Sequence, residues 1–208
     1  MPWNKNILAH FQTAIPGGDQ DESKYYGPYN SVLQTIFPVD DGFMISPQYR
    51  YIVEPGRAGI TNFPIFFIVE KREHPVFFLE VTAASHMDVN SARSAADEQM
   101  RQRVKDLHTK IIIPKLYGVS AIGTKIALYE YTKDTNRLEP SRIADDDTFV
   151  VDTAPTARWG SDVLTDAGEQ LFRHVSENVK RMCNQLGQGW LGCLVPSHLS
   201  FTDDFQDI

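Results

Sequence analysis

Asn62, Glu80 and Thr82 are the residues of this chain whose types and spacing could support chemistry. Glu80 and Thr82 close an apolar run, Val76-Phe77-Phe78-Leu79, and Asn62 opens another, residues 63–70, eighteen positions before Glu80. Two apart on a strand, Glu80 and Thr82 share a face. With a turn centred on residues 72–74, Asn62 falls level with residues 82–84 of the partner strand, within reach of side-chain contact. A hard cation such as Mg²⁺ takes oxygen ligands, usually one or two carboxylates plus waters and a substrate phosphate. Held there, it would polarise a phosphoryl group and turn water into hydroxide. The expected metal ligands are Glu80 and Asn62. Asn62 offers a neutral carbonyl oxygen; Thr82 offers a hydroxyl that can hold a water but carries no charge. The alternative is structural: a glutamate at a strand end, followed by a β-branched residue that suits a strand.

A helix over residues 90–108 must pack on these strands. The segment is rich in Ala, Gln and Arg, with Asn90 or Ser91 as the expected cap. On a wheel with Ala92 at zero and ~100° per residue, Ala96, Met100 and Leu107 fall within about 80° of it, and Gln99 and Arg103 lie near the centre. The stripe facing the sheet therefore carries a glutamine and an arginine one turn apart. Buried residues of these types need partners, and Glu80 would suit Arg103. Alternatively Arg103 snorkels past the sheet edge while Gln99 bonds nearby backbone.

The remaining elements complete a layered fold. Residues 3–15 carry a helical pattern, and a polar, Gly-rich break follows at 16–22. A short helix over 29–37 stops at Pro38, and a first strand over 49–54 is closed by Pro55-Gly56. The arms 63–70 and 76–82 form a hairpin around 71–75; both are almost continuously apolar, so both faces should be covered. A second hairpin, 116–122 with 125–131, turns on Gly123-Thr124, a Gly-first pair suited to a type II′ turn. After an irregular stretch, a long helix runs over 165–186 with Leu171, Val175, Val179, Met182 and Leu186 as its stripe. The expected class is α/β or α+β, a central mixed sheet flanked by helices in one domain over 1–208. Within it, 1–27 is an N-terminal helix and loop, 28–186 the core and 187–208 an extension.

Charge bounds the partners. The net charge is -7, which argues against a general nucleic-acid coat protein. Yet Arg101, Arg103, Lys105, Lys110, Lys115 and Lys125 face one acid, Asp106, across residues 101–125. Either this run is a basic patch, with Arg101, Arg103, Lys105 and Lys115 as binding residues, or it is a solvated helix face with loop lysines. No apolar run approaches the ~20 residues of a membrane span, and no leader-like start is present, so a cytoplasmic or nuclear protein is expected. The two cysteines, Cys183 and Cys193, read as thiols in a reducing compartment. The six histidines are scattered without zincin spacing, and no P-loop or GxGxxG occurs. Asp145-Asp146-Asp147 lacks the Gly and Glu of a calcium loop.

Asn62 before one strand, Glu80 ending the next, and a helix carrying Gln toward them resemble the PD-(D/E)XK nuclease superfamily, whose core is α-β-β-β-α-β. More closely, Pro75-Val76-Phe77-Phe78-Leu79-Glu80, Ala95-Ala96-Asp97-Glu98-Gln99-Met100-Arg101 and Ile113-Pro114-Lys115-Leu116-Tyr117-Gly118 resemble an uncharacterised family of that type in fungal genomes; the match covers residues 31–186. Carried over, the resemblance places Asn62 at the first acid, Glu80 at the second, Thr82 at the lysine and Gln99 at the helix glutamine. It implies a restriction-endonuclease-like core, these residues as the catalytic set, and Mg²⁺ or Mn²⁺ as cofactor in an active member. Members also recruit an acid or lysine from a neighbouring element; Glu54, Glu70, Lys71 and Lys115 are the candidates here.

Three expectations follow. In the first, the site is degenerate and the protein binds nucleic acid or a protein partner, with Glu80, Gln99 and Arg103 tying sheet to helix. In the second, it is an active metal-dependent nuclease with a non-standard site. In the third, it is a structural or homodimeric module that covers a neighbour with Trp3, Phe11, Tyr25, Tyr26, Tyr29 and the apolar stretch 190–195, unless these pack on their own domain.

Overall fold

Residues 3–17, 20–49, 65–144, 148 and 151–186 are described by the structure, a computed structural model. Two hairpins joined by a crossover helix build the sheet. Strands β1 (Phe43–Tyr49), β2 (Ile65–Lys71) and β3 (His74–Thr82) run antiparallel. Helix α3 (Asn90–Leu107) then carries the chain over to β4 (Lys115–Ile122), parallel to β3. Strand β5 (Lys125–Thr132) returns antiparallel, and its outer edge is shared by two short strands, β6 (Arg137–Glu139) and β7 (Ser161–Asp162). The order is β1-β2-β3-β4-β5-β6, with β7 on β5. With α1 (Lys5–Ala14), α2 (Ser23–Ile36) and α4 (Asp166–Leu186), this is an α+β fold around a mixed sheet.

Both faces of β3 are covered, as its unbroken apolar sequence requires: Val76, Phe77, Phe78, Leu79 and Val81 are all buried. Adjacent residues of a strand point to opposite faces, and Phe77 and Phe78 divide the molecule accordingly. Phe77 meets Phe37, just after α2, with ring centroids 5.4 Å apart. Phe78 meets Gly118 and Met100 beneath α3; a Cβ on Gly118 would lie 2.3 Å from Phe78 Cζ, so only glycine lets the helix settle there. The N-terminal aromatics sit on the Phe77 side. Phe11 packs edge-on against Tyr29, Trp3 against Phe172 of α4, and Tyr26 against Phe67. Trp3, Phe11, Tyr25 and Tyr29 are buried in their own domain, which removes them from any surface offered to a neighbour.

Several local expectations are corrected. The first described strand is Phe43–Tyr49 rather than 49–54, and residues 50–64 lie outside the described residues. Helix α2 begins at Ser23, six residues before the expected start, and takes Pro28 inside it. Proline removes one helical hydrogen bond, but Tyr25, Pro28, Tyr29, Val32, Leu33 and Ile36 make one buried stripe that outweighs the loss. Helix α3 starts on Val89 with no side-chain cap; neither Asn90 nor Ser91 serves. The short strands β6 and β7 fall in the stretch read as irregular. The β4–β5 turn has Gly123 at φ +60°, as its sequence suggested, and its carbonyl accepts Tyr29 Oη at 2.8 Å. The β2–β3 turn is tighter than expected: Arg72 and Glu73 alone form it, at φ 52° and 67°.

Candidate functional site

Strand β3 presents Glu80 on the same face as Phe78, toward α3. There it meets Arg103, as the helical wheel anticipated. Arg103 Nε donates to Glu80 Oε1 at 3.0 Å and Nη2 lies 2.9 Å from the same oxygen. The guanidinium carbon lies 3.3 Å from the centroid of the Phe66 ring. Phe66 stands opposite Glu80 in the β2–β3 register. Arg103 Nη1 also reaches Asp106 Oδ2 at 3.4 Å. Glu80 and Arg103 are each only 7% exposed. A charge pair this buried offsets its own desolvation only through such close contacts, and removing one partner costs about 3–5 kcal/mol.

The other described candidates lie on β2, β3, α3 and β4. Thr82 is buried and donates its hydroxyl to the Ala121 carbonyl at 3.4 Å. Gln99 is half-buried on α3. Asn62 and Glu54 lie outside the described residues. Glu70 is level with Pro75, and Lys71 with His74, at the far end of the hairpin. Lys115 sits at the start of β4, two residues before the Phe77–Tyr117 pairing. At ~3.3 Å per strand residue, these three stand roughly 17 Å or more along the strands from Glu80. None of them reaches Glu80 from there.

Both arginines of the basic run are spent inside the protein. Arg101 is 1% exposed; it donates to both Asp97 oxygens, at 2.8 and 3.1 Å, and to the Pro140 carbonyl at 3.0 Å. Arg103 is held by Glu80. Lys115 pairs with Glu130, and Lys125 with Asp162 at 3.3 Å. The arginines of the run thus point into the fold, while Lys105 and Lys115 are half-buried and Lys110 and Lys125 exposed.

A second polar cluster went unnoticed in the sequence. Asp97 Oδ1 accepts Tyr129 Oη at 2.6 Å and also pairs with Arg158. Burial and the Asp97 carboxylate push the Tyr129 phenol far above its ordinary value. One turn earlier, Arg93 donates to the carbonyls of Ala154 and Met87, both at 2.8 Å, and to Asp152 at 2.9 Å. Ser94 and Thr153 share a hydroxyl contact of 2.9 Å. The signal was present: Arg93, Asp97 and Arg101 stand four apart, which places them on one helical stripe. These contacts tie Pro140, Asp152, Thr153, Ala154 and Arg158 to α3.

Of the two expected ligands for Mg²⁺ or Mn²⁺, Glu80 does not fit that role as arranged. Glu80 carries a guanidinium where the cation would sit, and the Thr82 hydroxyl is given to backbone. A divalent ion beside Arg103 would face like charge in a poorly solvated pocket. Among the described residues, no group of three or more His, Cys, Asp or Glu side chains is placed to hold a metal. An open depression of about 690 Å³ lies elsewhere, on α4, lined by Glu177, Lys180, Arg181, Asn184 and Gln185. No helix among the described residues is long and apolar enough to cross a membrane. Compared with known protein families, with curated proteins and with solved structures, the chain finds no match.

Proposed function

We propose that the chain has a restriction-endonuclease-like core with a degenerate site, and that it acts by binding a protein partner rather than by cutting nucleic acid. The observation that carries this reading is the Arg103 guanidinium on Glu80. It neutralises the one acid of the catalytic pattern that the chain retains. The element order α2-β1-β2-β3-α3-β4 supports the kinship, since it runs α-β-β-β-α-β. The fate of the basic run favours a protein over a nucleic acid. Phosphate binding draws on available Lys and Arg, whereas Arg101, Arg103, Lys115 and Lys125 are engaged with acids of the same chain, which itself has a net charge of -7.

The test is a cleavage and binding assay on purified protein. Single-stranded DNA, duplex DNA and RNA are offered with Mg²⁺ or Mn²⁺, beside an EDTA blank and Glu80→Gln. No cutting, and no salt-dependent retention of any of the three, is expected. Metal-dependent cutting that vanishes in Glu80→Gln would overturn the non-catalytic reading. Retention that weakens steeply with salt would transfer the partner to nucleic acid.

A further inference from the structure

We infer that the pocket around Glu80 is a guanidinium cage, built for an arginine head rather than a metal ion, with Arg103 as its resident. The inference shares Glu80 with the non-catalytic reading and rests on it to that extent. Among the described residues the cage has three walls. Glu80 Oε1 takes both Nε and Nη2, at 3.0 and 2.9 Å. The Phe66 ring lies flat-side to the guanidinium carbon at 3.3 Å. Asp106 Oδ2 reaches Nη1 at 3.4 Å.

These walls discriminate between cations. Guanidinium is planar, delocalised and weakly hydrated, so it can stack on an aromatic face while its edge donates to carboxylates. Mg²⁺ demands oxygen in near-octahedral geometry and keeps its waters, so a phenylalanine face offers it nothing. The walls come from three elements, β3, β2 and α3, and Glu80 and Phe66 are fixed opposite each other by strand register. Removing the Arg103 side chain therefore leaves the carboxylates and the ring in place around a vacancy of guanidinium shape.

Chemical rescue tests this. The Arg103→Ala protein is melted in guanidinium chloride up to about 50 mM, far below the molar range in which that salt denatures. Matched samples contain NaCl, MgCl₂ or MnCl₂. The melting temperature of Arg103→Ala should rise saturably by several degrees with guanidinium alone. Wild type, whose cage is full, should show no such rise. Nor should the Glu80→Gln, Arg103→Ala double variant, which has lost the attracting charge. If Arg103→Ala does not fold unaided, the yield of folded protein on refolding in the same four salts gives the same readout. Rescue by Mg²⁺ or Mn²⁺ in place of guanidinium would overturn the cage and restore a metal-type site. A response to none of the salts, in melting and in refolding, would overturn it too. Cleavage by the wild type would sink the non-catalytic reading and leave the rescue result standing.

Discussion

Trp159 donates its indole N–H to Ser120 Oγ across 3.2 Å, and Ser120 stands beside Glu80 in the parallel β3–β4 pair. A residue late in the chain thus closes the α3 face of the sheet next to Glu80. Trp159 is 1% exposed, so its ring is packing as well as donor. Trp159→Phe keeps most of the volume and loses the bond; it should cost about 1 kcal/mol. Trp159→Ala leaves a cavity and should cost about 3–5 kcal/mol. Urea unfolding at unchanged slope reads both. Equal losses from the two variants would mean that the hydrogen bond, not the ring, holds the segment down.

The Glu80–Arg103 pair is a coupled unit. Arg103→Ala should destabilise the protein by about 3–5 kcal/mol, because it strands a buried carboxylate. Glu80→Gln should also destabilise, and the double variant should lose less than the sum by at least about 1 kcal/mol. A double-mutant cycle from denaturant unfolding measures the difference. Additive losses would show that the contact carries no coupling.

The β2–β3 turn is set for improvement. Arg72 and Glu73 both sit at positive φ, in a two-residue loop whose cheapest occupants are Asn and Gly. Replacing them together, Arg72→Asn with Glu73→Gly, should raise stability by about 1 kcal/mol. A fall in the unfolding midpoint would mean that side-chain contacts of the native pair outweigh the strain.

Alkaline pH should loosen the fold through its buried phenols. Burial, then the Glu130 carboxylate, pushes Tyr117 from 10.0 up to about 12, and Tyr129 is raised further. The folded state therefore holds these protons more tightly than the unfolded chain does. Their contribution is complete below the unfolded value of 10.0 and is lost as pH rises through about 12. Tyr117→Phe should flatten the decline in stability over that window. An unchanged slope would assign the decline to other groups.

What was legible in the chain was what lies in short-range pattern. The unbroken apolar run of β3, the Gly-first turn at Gly123 and the stripe of α4 follow from strand and helix periodicity over a few residues. So does the inward direction of Arg103, because a helical wheel needs only local spacing. Helix α2 is the local exception: it begins at Ser23, six residues before the expected start, and takes Pro28 inside it. The fate of the charges was a different matter. Asp97 and Arg158 are 61 residues apart, and Arg93 finds Ala154 across the same separation. Local spacing puts Asp97 one turn from Arg101, but the burial of Arg101 is completed by a carbonyl from 39 residues onward. Whether a charge is solvated or consumed depends on which distant segment is laid over it. Periodicity chooses the face of each element; packing between elements chooses what that face meets.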